Sequence, residues 1–380
     1  MAAQRAVVTD GSHQGAAVFS VLPRIALLYN KLINSLIYCF LMKSFDIISI
    51  GTATFDAYLR GYQNLEIKKN GFGLQCFPLG AKIEVKDLNF SSGGGATNTA
   101  FTFAKQGLKT GCVFEIGRDE FGRLILQEQK KQKITVFPFL NKKIATALSI
   151  ILIDNFGERT IFVFRGASGS LNLKEALLSK IRAKWVYLVP GAMKINDVEK
   201  IITHFKKQKT KIALNPSKSL IQQGLKKLSK VLKQTDVLLL NQEEAAYLTG
   251  LLYKEEQKIF RKLDQCVSGI LVMTAGPKGL KVSDGSHVWR ANTFKEKKVV
   301  DRSGAGDAFG SGFVAGLIQK NEQCQKGVCS VDNISYAIRL GSANATLMVE
   351  TLGVKTGILS KKEFASSPRW KNLEIKIEKI

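Results

Sequence analysis

The sequence predicts an α/β fold: a doubly wound, mostly parallel sheet flanked by helices, with a small antiparallel β flap. Short apolar strands alternate with helical patterns without an obvious break, which is typical of a parallel sheet covered by helices. A chain of 380 residues with 45% hydrophobic residues can bury one large core of this kind. Between residues 58 and 90, short alternating segments broken by glycine and proline favour the flap over another strand and helix layer.

The main sheet is predicted from short apolar runs rich in branched residues. These runs lie at residues 45–50, 185–188, 211–214, 237–240 and 270–273. Helical patterns accompany them at residues 198–205, 241–248 and 336–349, and a further helical run that follows the stretch 91–100 ends at about Gln106. Because open α/β sheets bind ligands beyond the carboxyl ends of their strands, we expect the functional residues in the loops that follow these runs.

Residues 1–41 differ from the rest of the chain. The segment 18–42 is strongly apolar, but polar residues and a proline interrupt it: Pro23, Arg24, Asn30, Lys31 and Asn34. A membrane-spanning helix or signal anchor is one interpretation. We favour an upstream extension of artefactual origin, because the residues from Met42 onward read as the natural start of a cytoplasmic domain.

The formal net charge of +25 comes from 56 Lys and Arg against 31 Asp and Glu. Such a charge suits nucleic acid, an anionic membrane surface or anionic substrates. The lysines are spread over the whole length without an arginine-rich arm, so a solvated basic surface is favoured over a specific nucleic-acid site. The six cysteines lack CxxC spacing, which indicates reduced thiols in a cytoplasmic protein. The three histidines are isolated in the sequence, which argues against a zinc site.

The segment Asp301–Val314 reads DRSGAGDAFGSGFV and is the strongest functional signal. Gly304, Ala305 and Gly306 let backbone N–H groups approach an oxyanion, and the helix that follows adds partial positive charge. Asp307 would repel a phosphate, so we expect it to take a proton from a hydroxyl that attacks phosphorus in line. A tight turn with Asp307 as the helix N-cap is the alternative.

Two polar side chains in the first half of the chain follow predicted strands. Asp56 lies in the loop after the first strand and can accept hydrogen bonds from a polyol, although a loop-capping aspartate explains it equally well. The run SSGGGATNTA at residues 91–100 opens a helix. Its glycines would let a ligand press on the backbone, and Asn98 offers both a donor and an acceptor to a hydroxyl.

Taken together, these stretches resemble the two signatures of the PfkB, or ribokinase-like, carbohydrate kinase family. The resemblance rests on Gly94, Asn98, Gly107, Gly117 and the segment Asp301–Phe313. It covers about residues 42–360, and both signatures stand in the family's order. One departure is Arg302, which stands where the family usually has a small residue.

The resemblance also implies the domain limits. A ribokinase-like kinase domain would cover residues 42–365, and a C-terminal tail would cover residues 366–380. Strand patterns at 147–152 and 160–164 would complete a lid built from about residues 57–92 and 144–165.

By the same resemblance, the chain would transfer a phosphoryl group from ATP to an alcohol group of a small sugar or sugar acid. Asp307 would be the general base, and the backbone amides of Gly304, Ala305 and Gly306 would form the anion hole. The residues expected to hold the acceptor are Asp56, Gly94, Gly95, Asn98 and Arg165.

Arg165 leaves a predicted lid strand and can face the cleft between the lid and the sheet. It resembles the arginine that ketodeoxygluconate kinases use in a comparable stretch, and its planar fork suits a carboxylate or a phosphate. An anionic acceptor is therefore one prediction. A surface arginine that pairs with Glu158 or with solvent is the alternative.

The resemblance implies an ATP site with magnesium, and it allows potassium. Residues 274–279 resemble the family's nucleotide-binding turn, and the expected nucleotide contacts are Asn215, Thr274, Gly276, Gly279 and Asn344. Asn241 and Glu244 match an Asn-x-x-Glu element that positions magnesium largely through water, although an ordinary capping box also explains the pair. Asp301 lies where a monovalent ion is expected, and Asn344 could instead face solvent.

Two other functions stay open at this point. A nucleoside kinase of the adenosine type would stack its base on lid aromatics such as Phe55, Phe72 and Phe77, although core packing explains the same residues. A non-catalytic protein that binds through its basic surface is more distant, because Asp307 and the glycine turn are intact. The expected partners are a small-molecule substrate and a second copy bound through the lid, with no specific nucleic acid and no membrane.

Overall fold

The computed structural model describes residues 44–62, 65–69, 72–154, 159–169, 171, 178–321 and 329–380. Their contacts divide the chain into one unit of residues 1–44 and 180–182 and a second unit of residues 45–179 and 183–380. Of the first unit, the structure describes Ser44 and residues 180–182. The predicted extension at residues 1–41 therefore lies outside the described residues.

Strands and helices alternate along the described part of the chain. The strands are β1 (Ser44–Gly51), β2 (Thr54–Arg60), β3 (Leu65–Lys69), β4 (Phe72–Cys76), β5 (Asp87–Gly93), β6 (Thr110–Gly117), β7 (Thr135–Asn141), β8 (Ala147–Ile153), β9 (Arg159–Phe164), β10 (Arg182–Val189), β11 (Lys211–Leu214), β12 (Val237–Asn241), β13 (Ile270–Thr274), β14 (Leu280–Ser283), β15 (His287–Ala291) and β16 (Ile375–Lys379). The helices are α1 (Gly95–Lys105), α2 (Glu120–Lys131), α3 (Ile195–Lys207), α4 (Lys218–Ile221), α5 (Gly224–Leu232), α6 (Gln242–Thr249), α7 (Glu256–Asp264), α8 (Ala305–Gln319), α9 (Val331–Val349) and α10 (Lys361–Ser366).

The main sheet has ten strands among the described residues, in the order β16-β15-β14-β13-β12-β11-β10-β1-β6-β7. Pairing is parallel from β10 to β13 and from β1 through β6 to β7, and it is antiparallel from β13 to β16. The predicted mostly parallel sheet flanked by helices is therefore confirmed. The carboxyl ends of its parallel strands meet at one edge, where such sheets bind ligands.

The predicted flap is a second sheet with the strand order β5-β2-β8-β9, and we call it the lid. Strand β2 pairs antiparallel with β5, and β8 pairs antiparallel with β9. The central pair of β2 and β8 is parallel, because a long stretch of chain that includes β6 and β7 connects the two strands. Strands β3 and β4 form a separate antiparallel hairpin.

The two faces of the lid differ because successive strand residues point to opposite sides. Asp56 lies on the inner face, where Leu352 from the segment after α9 packs against the lid. Phe90, Ile150 and Phe162 lie in one row on the outer face, and each is exposed. The inner face therefore combines Asp56 with an apolar cluster that contains Tyr58 and Ile151, whereas the outer face is apolar and exposed.

Helices α8 and α9 pack closely, as the small residues of the predicted 336–349 helix indicated. A Cβ atom on Gly316 would lie 2.7 Å from the Cα atom of Ala337, so the two backbones are nearly in contact. Phe313 of α8 is fully buried in the main core beside the sheet. This packing holds the first turn of α8 at the carboxyl edge of the sheet. In the described parts of the chain, each helix is too short or too polar to cross a membrane.

Candidate active site

The two signature stretches meet at Asp307, although Asn98 and Asp307 are 209 residues apart in sequence. Asp307 lies in the first turn of α8, and the Nδ2 atom of Asn98 in α1 donates to its Oδ2 atom at 3.0 Å. The Oδ1 atom of Asn98 is buried and has no partner among the described residues. The Asp307 carboxylate can thus accept from a ligand hydroxyl while the Asn98 amide holds it in place.

Asp307 is half-buried, and its surroundings change its acidity. Burial raises the pKa of its carboxyl group to about 6, and the hydrogen bond from Asn98 opposes that rise. The group is consequently mostly ionised at neutral pH and is a stronger base than an exposed aspartate.

The turn before α8 contains the predicted anion cradle. Gly304 is the N-cap with a left-handed φ of 73°, and a Cβ atom there would lie 3.1 Å from the Val354 side chain. The alternative prediction of Asp307 as the N-cap is therefore wrong. Gly306 has nothing within 4 Å of a Cβ position, so the space beside it is open. An open helix N-terminus lined by glycine and Ala305 fits an anion.

A cavity of about 270 Å³ opens beside this turn. Its walls come from the predicted nucleotide turn and from α8 and α9, and they include Thr274, Gly276, Gly279, Gly306, Phe309 and Thr346. Gly276 is open to the cavity, whereas a Cβ atom on Gly279 would overlap the carbonyl oxygen of Ala291. Three of the five predicted nucleotide residues thus line one cavity.

The other two predicted nucleotide residues lie elsewhere. Asn344 is fully buried between α8 and α9, where its Oδ1 atom accepts from the backbone N–H of Leu359 at 3.0 Å. It neither lines the cavity nor faces solvent, because Ser342 and Thr346 occupy the helix face that does. Asn215 donates to the carbonyl oxygen of Leu239 at 3.0 Å and ties β11 to β12.

The glycine run before α1 is packed against the protein's own atoms. A Cβ atom on Gly93 would overlap the Oδ2 atom of Asp56, and one on Gly95 would overlap the Val189 side chain. Gly94 has a φ of 95°, and its Cβ atom would lie 2.6 Å from the carbonyl oxygen of Thr52. Close packing therefore accounts for these glycines, while the contact of Gly94 and Gly95 with an acceptor stays a prediction.

Asp56 belongs to lid strand β2 and not to the predicted loop after the first strand, because residues 54–60 pair with β5 and β8. It lies beside the glycine run and is buried, with 6% of its surface exposed. Burial raises the pKa of its carboxyl group, against the effect of hydrogen bonds from Ser149 and Thr54. Arg165 is exposed just after β9. Its alternative partner, Glu158, lies outside the described residues.

Asn241 and Glu244, the pair predicted to position magnesium, form a capping box at the start of α6. The sequence allowed this arrangement as the alternative. The Oδ1 atom of Asn241 accepts from the Glu244 N–H at 2.8 Å, and the Oε2 atom of Glu244 accepts from the Asn241 N–H at 2.9 Å. Burial raises the pKa of Glu244, and the charges of Glu243 and Asp307 add to that rise. The negative charge of Asp307 therefore acts on the Glu244 carboxyl group. Nowhere in the described ranges do three or more His, Cys, Asp or Glu side chains form a group that could hold a metal ion.

Asp301, at the start of the turn, is buried with 4% of its surface exposed. Its Oδ1 atom accepts from the Ser303 N–H at 2.8 Å and from Nη1 of Arg159 at 3.0 Å. Its Oδ2 atom is buried and has no partner among the residues that the structure describes. Arg159 belongs to lid strand β9, so this ion pair joins the lid to the turn that carries the base.

Sequence reasoning missed several side chains at the site. Arg159 was one, because ion pairs between distant segments leave no local pattern. Tyr187 was another: burial and the charge of Asp307 raise the pKa of its phenol, which lies where a Cβ atom on Gly310 would be. In the sequence, Arg302 differs from the small residue that the family usually has at this position, which does not indicate its role. In the structure, it lines the cavity, and its Nη1 atom lies 3.8 Å from the Glu296 carboxylate.

The chain is similar to known proteins over most of its length. The chain matches the model of the pfkB family carbohydrate kinase over residues 47–361. It is 24% identical over 266 residues to an uncharacterized sugar kinase from Archaeoglobus fulgidus, covering 67% of this chain and 97% of that protein. It is 22% identical over 312 residues to a nucleoside kinase from Methanocaldococcus jannaschii, covering 81% and 93%. Its fold resembles that of the Arabidopsis thaliana ribokinase complexed with ribose and ATP, with a TM-score of 0.69, 20% identity and coverage of 87% and 100%.

Proposed function

Because this chain belongs to the pfkB family of carbohydrate kinases, we propose that Asp307 is the general base that activates its acceptor hydroxyl. Family membership makes the chain a kinase that transfers phosphate from ATP to a sugar-like substrate. We infer that the acceptor is a small sugar or sugar acid. The hydrogen bond between Asn98 and Asp307 carries this proposal, because it joins the two signature stretches at one carboxylate.

In the proposed reaction, Asp307 removes the proton of the acceptor hydroxyl while that oxygen bonds to the γ-phosphorus of ATP, and the bond from that phosphorus to ADP breaks as ADP leaves. A pKa of about 6 supports this role, since it combines ionisation at neutral pH with basicity. The amides of Gly304, Ala305 and Gly306 stabilise negative charge on the transferring group. The open space beside Gly306 supports their approach to a phosphate.

Magnesium, when bound with ATP, neutralises charge on the phosphates. We propose that Asn241 and Glu244 hold it largely through water. The side chains fit this role, because Glu244 lies in the negative field of Glu243 and Asp307, which a cation would relieve.

We also propose a potassium site at Asp301. Its Oδ2 atom is buried without a partner in the described part of the chain, and such an oxygen fits a cation. Its Oδ1 atom already pairs with Arg159, so the ion would bind on the other side. Replacing potassium by tetramethylammonium is expected to lower kcat several-fold. Equal rates would indicate that Arg159 alone supplies the positive charge.

A nucleoside acceptor is the second candidate, because a nucleoside kinase is among the similar proteins. It would need aromatic side chains on the inner face of the lid. Phe55 is stacked between Phe90 and Phe121, with ring centroids 5.7 and 4.9 Å away, on the outer face. Phe77 packs against another aromatic ring, and the side chain of Phe72 lies outside the described residues. Tyr58 does lie on the inner face, but it is buried against Ile151 and Leu352, so it offers no open ring to a base. None of the three predicted aromatics therefore supports a nucleoside.

A phosphorylation screen tests this proposal directly. Ribose, fructose, ketodeoxygluconate, sugar phosphates and nucleosides would be compared by kcat/KM with ATP and magnesium. We expect the highest kcat/KM for a sugar or sugar acid. Turnover of nucleosides alone would instead favour the second candidate.

We further propose that two copies associate through the outer faces of their lids. Leu88, Phe90, Ile150, Phe162 and Phe164 are each between 37% and 57% exposed. An apolar face of this kind is typical of a protein interface. Light scattering should report a dimer, and Phe162→Glu should shift it to a monomer. A wild-type monomer at micromolar concentration would contradict this part.

A further inference from the structure

The segment that follows α9 contacts the lid, the anion cradle and the backbone next to the glycine run at residues 93–95, which we call the acceptor run. It does so with nearly consecutive residues. Leu352 packs against the inner face of the lid. Val354 closes the space beside Gly304 in the cradle, at 3.1 Å from a Cβ position there. Lys355 reaches Ser92, the residue before the glycine run. A short stretch of chain thus connects both halves of the site.

Lys355 is a buried lysine, with 6% of its surface exposed. Its Nζ atom donates to the carbonyl oxygen of Ser92 at 2.7 Å, to the Ser92 hydroxyl, and to the Oε1 atom of Glu128 at 3.1 Å. The Oε2 atom of Glu128 accepts from the Ser92 N–H at 2.9 Å. Both backbone polar groups of Ser92 are therefore held by this one ion pair.

The position of Ser92 bears directly on Asp56. Ser92 precedes Gly93, and the Oδ2 atom of Asp56 occupies the space where a Cβ atom of Gly93 would be. The charges of Lys355 and Glu128 also act on the Asp56 carboxyl group. A shift of Ser92 would therefore move the backbone on which that carboxylate rests.

Burying an ion pair adds little to stability, because desolvation cancels much of the attraction. An apolar pair of similar volume would hold helix α2 and the segment after α9 together equally well. It would not hold the N–H and the C=O of Ser92. The ion pair is therefore suited to fixing a backbone rather than to filling a core.

We propose that Lys355 is a positioning residue for the acceptor: together with Glu128 it fixes Ser92 and Gly93, and through them the carboxylate of Asp56. This inference rests on the proposed function, in which Asp56 binds the acceptor. Lys355 does not touch the substrate. Its loss should therefore impair acceptor binding more than ATP binding.

The test compares the double variant Lys355→Met/Glu128→Leu with wild type, using the best acceptor from the screen. Removing both charges avoids leaving one of them buried alone. We expect the melting temperature to fall by a few degrees, because the buried N–H and C=O of Ser92 lose these partners. The acceptor KM should rise at least about 10-fold, because Asp56 shifts away from the acceptor, while the ATP KM should stay within about 2-fold. A double variant with the wild-type acceptor KM would overturn the inference, since the pair would then be purely structural. A double variant that fails to fold would overturn it too, because an apolar pair would then not replace the packing. Lys355→Met alone, assayed well below its melting temperature, should show the same split.

The pair of Lys206 and Asp236 is a matched control. The Nζ atom of Lys206 lies 2.9 Å from the Oδ2 atom of Asp236, which also accepts from the Ile212 N–H at 2.7 Å. Asp236 precedes β12 and is thus at the sheet edge opposite the site. Lys206→Met/Asp236→Leu should leave both KM values unchanged.

Asp56→Ala separates this inference from the proposed function. A raised acceptor KM in Asp56→Ala with an unchanged KM in the double variant overturns the inference alone. An unchanged KM in Asp56→Ala overturns the assignment of the acceptor site and the inference with it.

Discussion

The glycines of the acceptor run and those of the donor turn border the same base, but different atoms occupy the space beside them. On the acceptor side, the missing Cβ atoms of Gly93, Gly94 and Gly95 leave room for Asp56, Thr52 and Val189, listed in that order. On the donor side, in the turns at residues 274–279 and 301–306, Gly279 and Gly304 also pack against protein atoms, but Gly276 and Gly306 have nothing within 4 Å. The packed glycines shape the fold that presents the site, and Gly276 and Gly306 leave space that a ligand can fill.

The largest expected effect concerns Asp307, which lies between the two regions. Asp307→Asn keeps the shape of both sides and removes the base, so kcat should fall by about two to four decades. The dissociation constant of ATP should stay within a few-fold, because the cavity walls are unchanged. Steady-state kinetics and calorimetry measure the two quantities. Near-wild-type turnover would refute the assignment of the base.

A pair of matched alanine substitutions tests the comparison itself. Gly94→Ala places a Cβ atom 2.6 Å from the Thr52 carbonyl oxygen at a φ of 95°, so unfolding should become easier by about 2–4 kcal/mol. Gly306→Ala meets no protein atom and should change stability by less than about 1 kcal/mol. It should instead lower kcat/KM for ATP by about 10- to 100-fold, because the methyl group enters the cradle. Thermal unfolding and steady-state kinetics of both variants test this. Equal losses of stability in the two variants would contradict the difference between the packed glycine and the open one.

A smaller effect is expected on the acceptor side alone. If the acceptor is anionic, Arg165→Ala should lower kcat/KM for a sugar acid or sugar phosphate, which corresponds to a rise in activation free energy of roughly 1.5–3 kcal/mol. The kcat/KM for a neutral sugar should not change. The exposed position of Arg165 after β9 leaves it free to turn toward such a ligand. Equal losses for both substrates would favour a neutral acceptor.

Because the pKa of Asp307 is raised in the folded state, ionisation of this carboxyl group lowers the free energy of unfolding. Its folded pKa of about 6 exceeds the unfolded value of 3.8, so the folded state binds more protons between these values. The free energy of unfolding should therefore fall as pH rises through this window. Because the two pKa values differ by about two, Asp307→Asn should recover about 3 kcal/mol at pH 7 and nothing at pH 3. Denaturant unfolding at the two pH values checks this, and a destabilised variant at pH 7 would contradict it.

The buried strands and the two signatures could be predicted because their patterns are local. Buried strands need apolar residues, so the apolar runs predict five strands to within a few residues: β1, β10, β11, β12 and β13. Asn344 shows the limit of such reasoning, because one helical position decides whether a side chain meets the cavity or the neighbouring helix.

Interactions between distant segments could not be predicted. Arg159 meets Asp301, and Lys355 meets Glu128, only because the chain folds back over long separations. The glycines of the acceptor run were recognised, but their physical reason was not, since the sequence does not show which atom fills the space beside each one. The parallel pairing of β2 with β8 depends on chain topology in the same way.

The most direct test of the account is the pH dependence of kcat/KM in wild type and in Asn98→Ala. This parameter reports the free enzyme, so the wild-type rate should fall as pH drops through about 6, where Asp307 becomes protonated. The Asn98 hydrogen bond lowers the pKa of Asp307, so its removal should move this acid limb upward by about half a unit or more. Thr102→Val, in the same helix, should leave the limb in place. An acid limb at the same pH in wild type and Asn98→Ala would contradict the central claim that these two side chains form the catalytic pair.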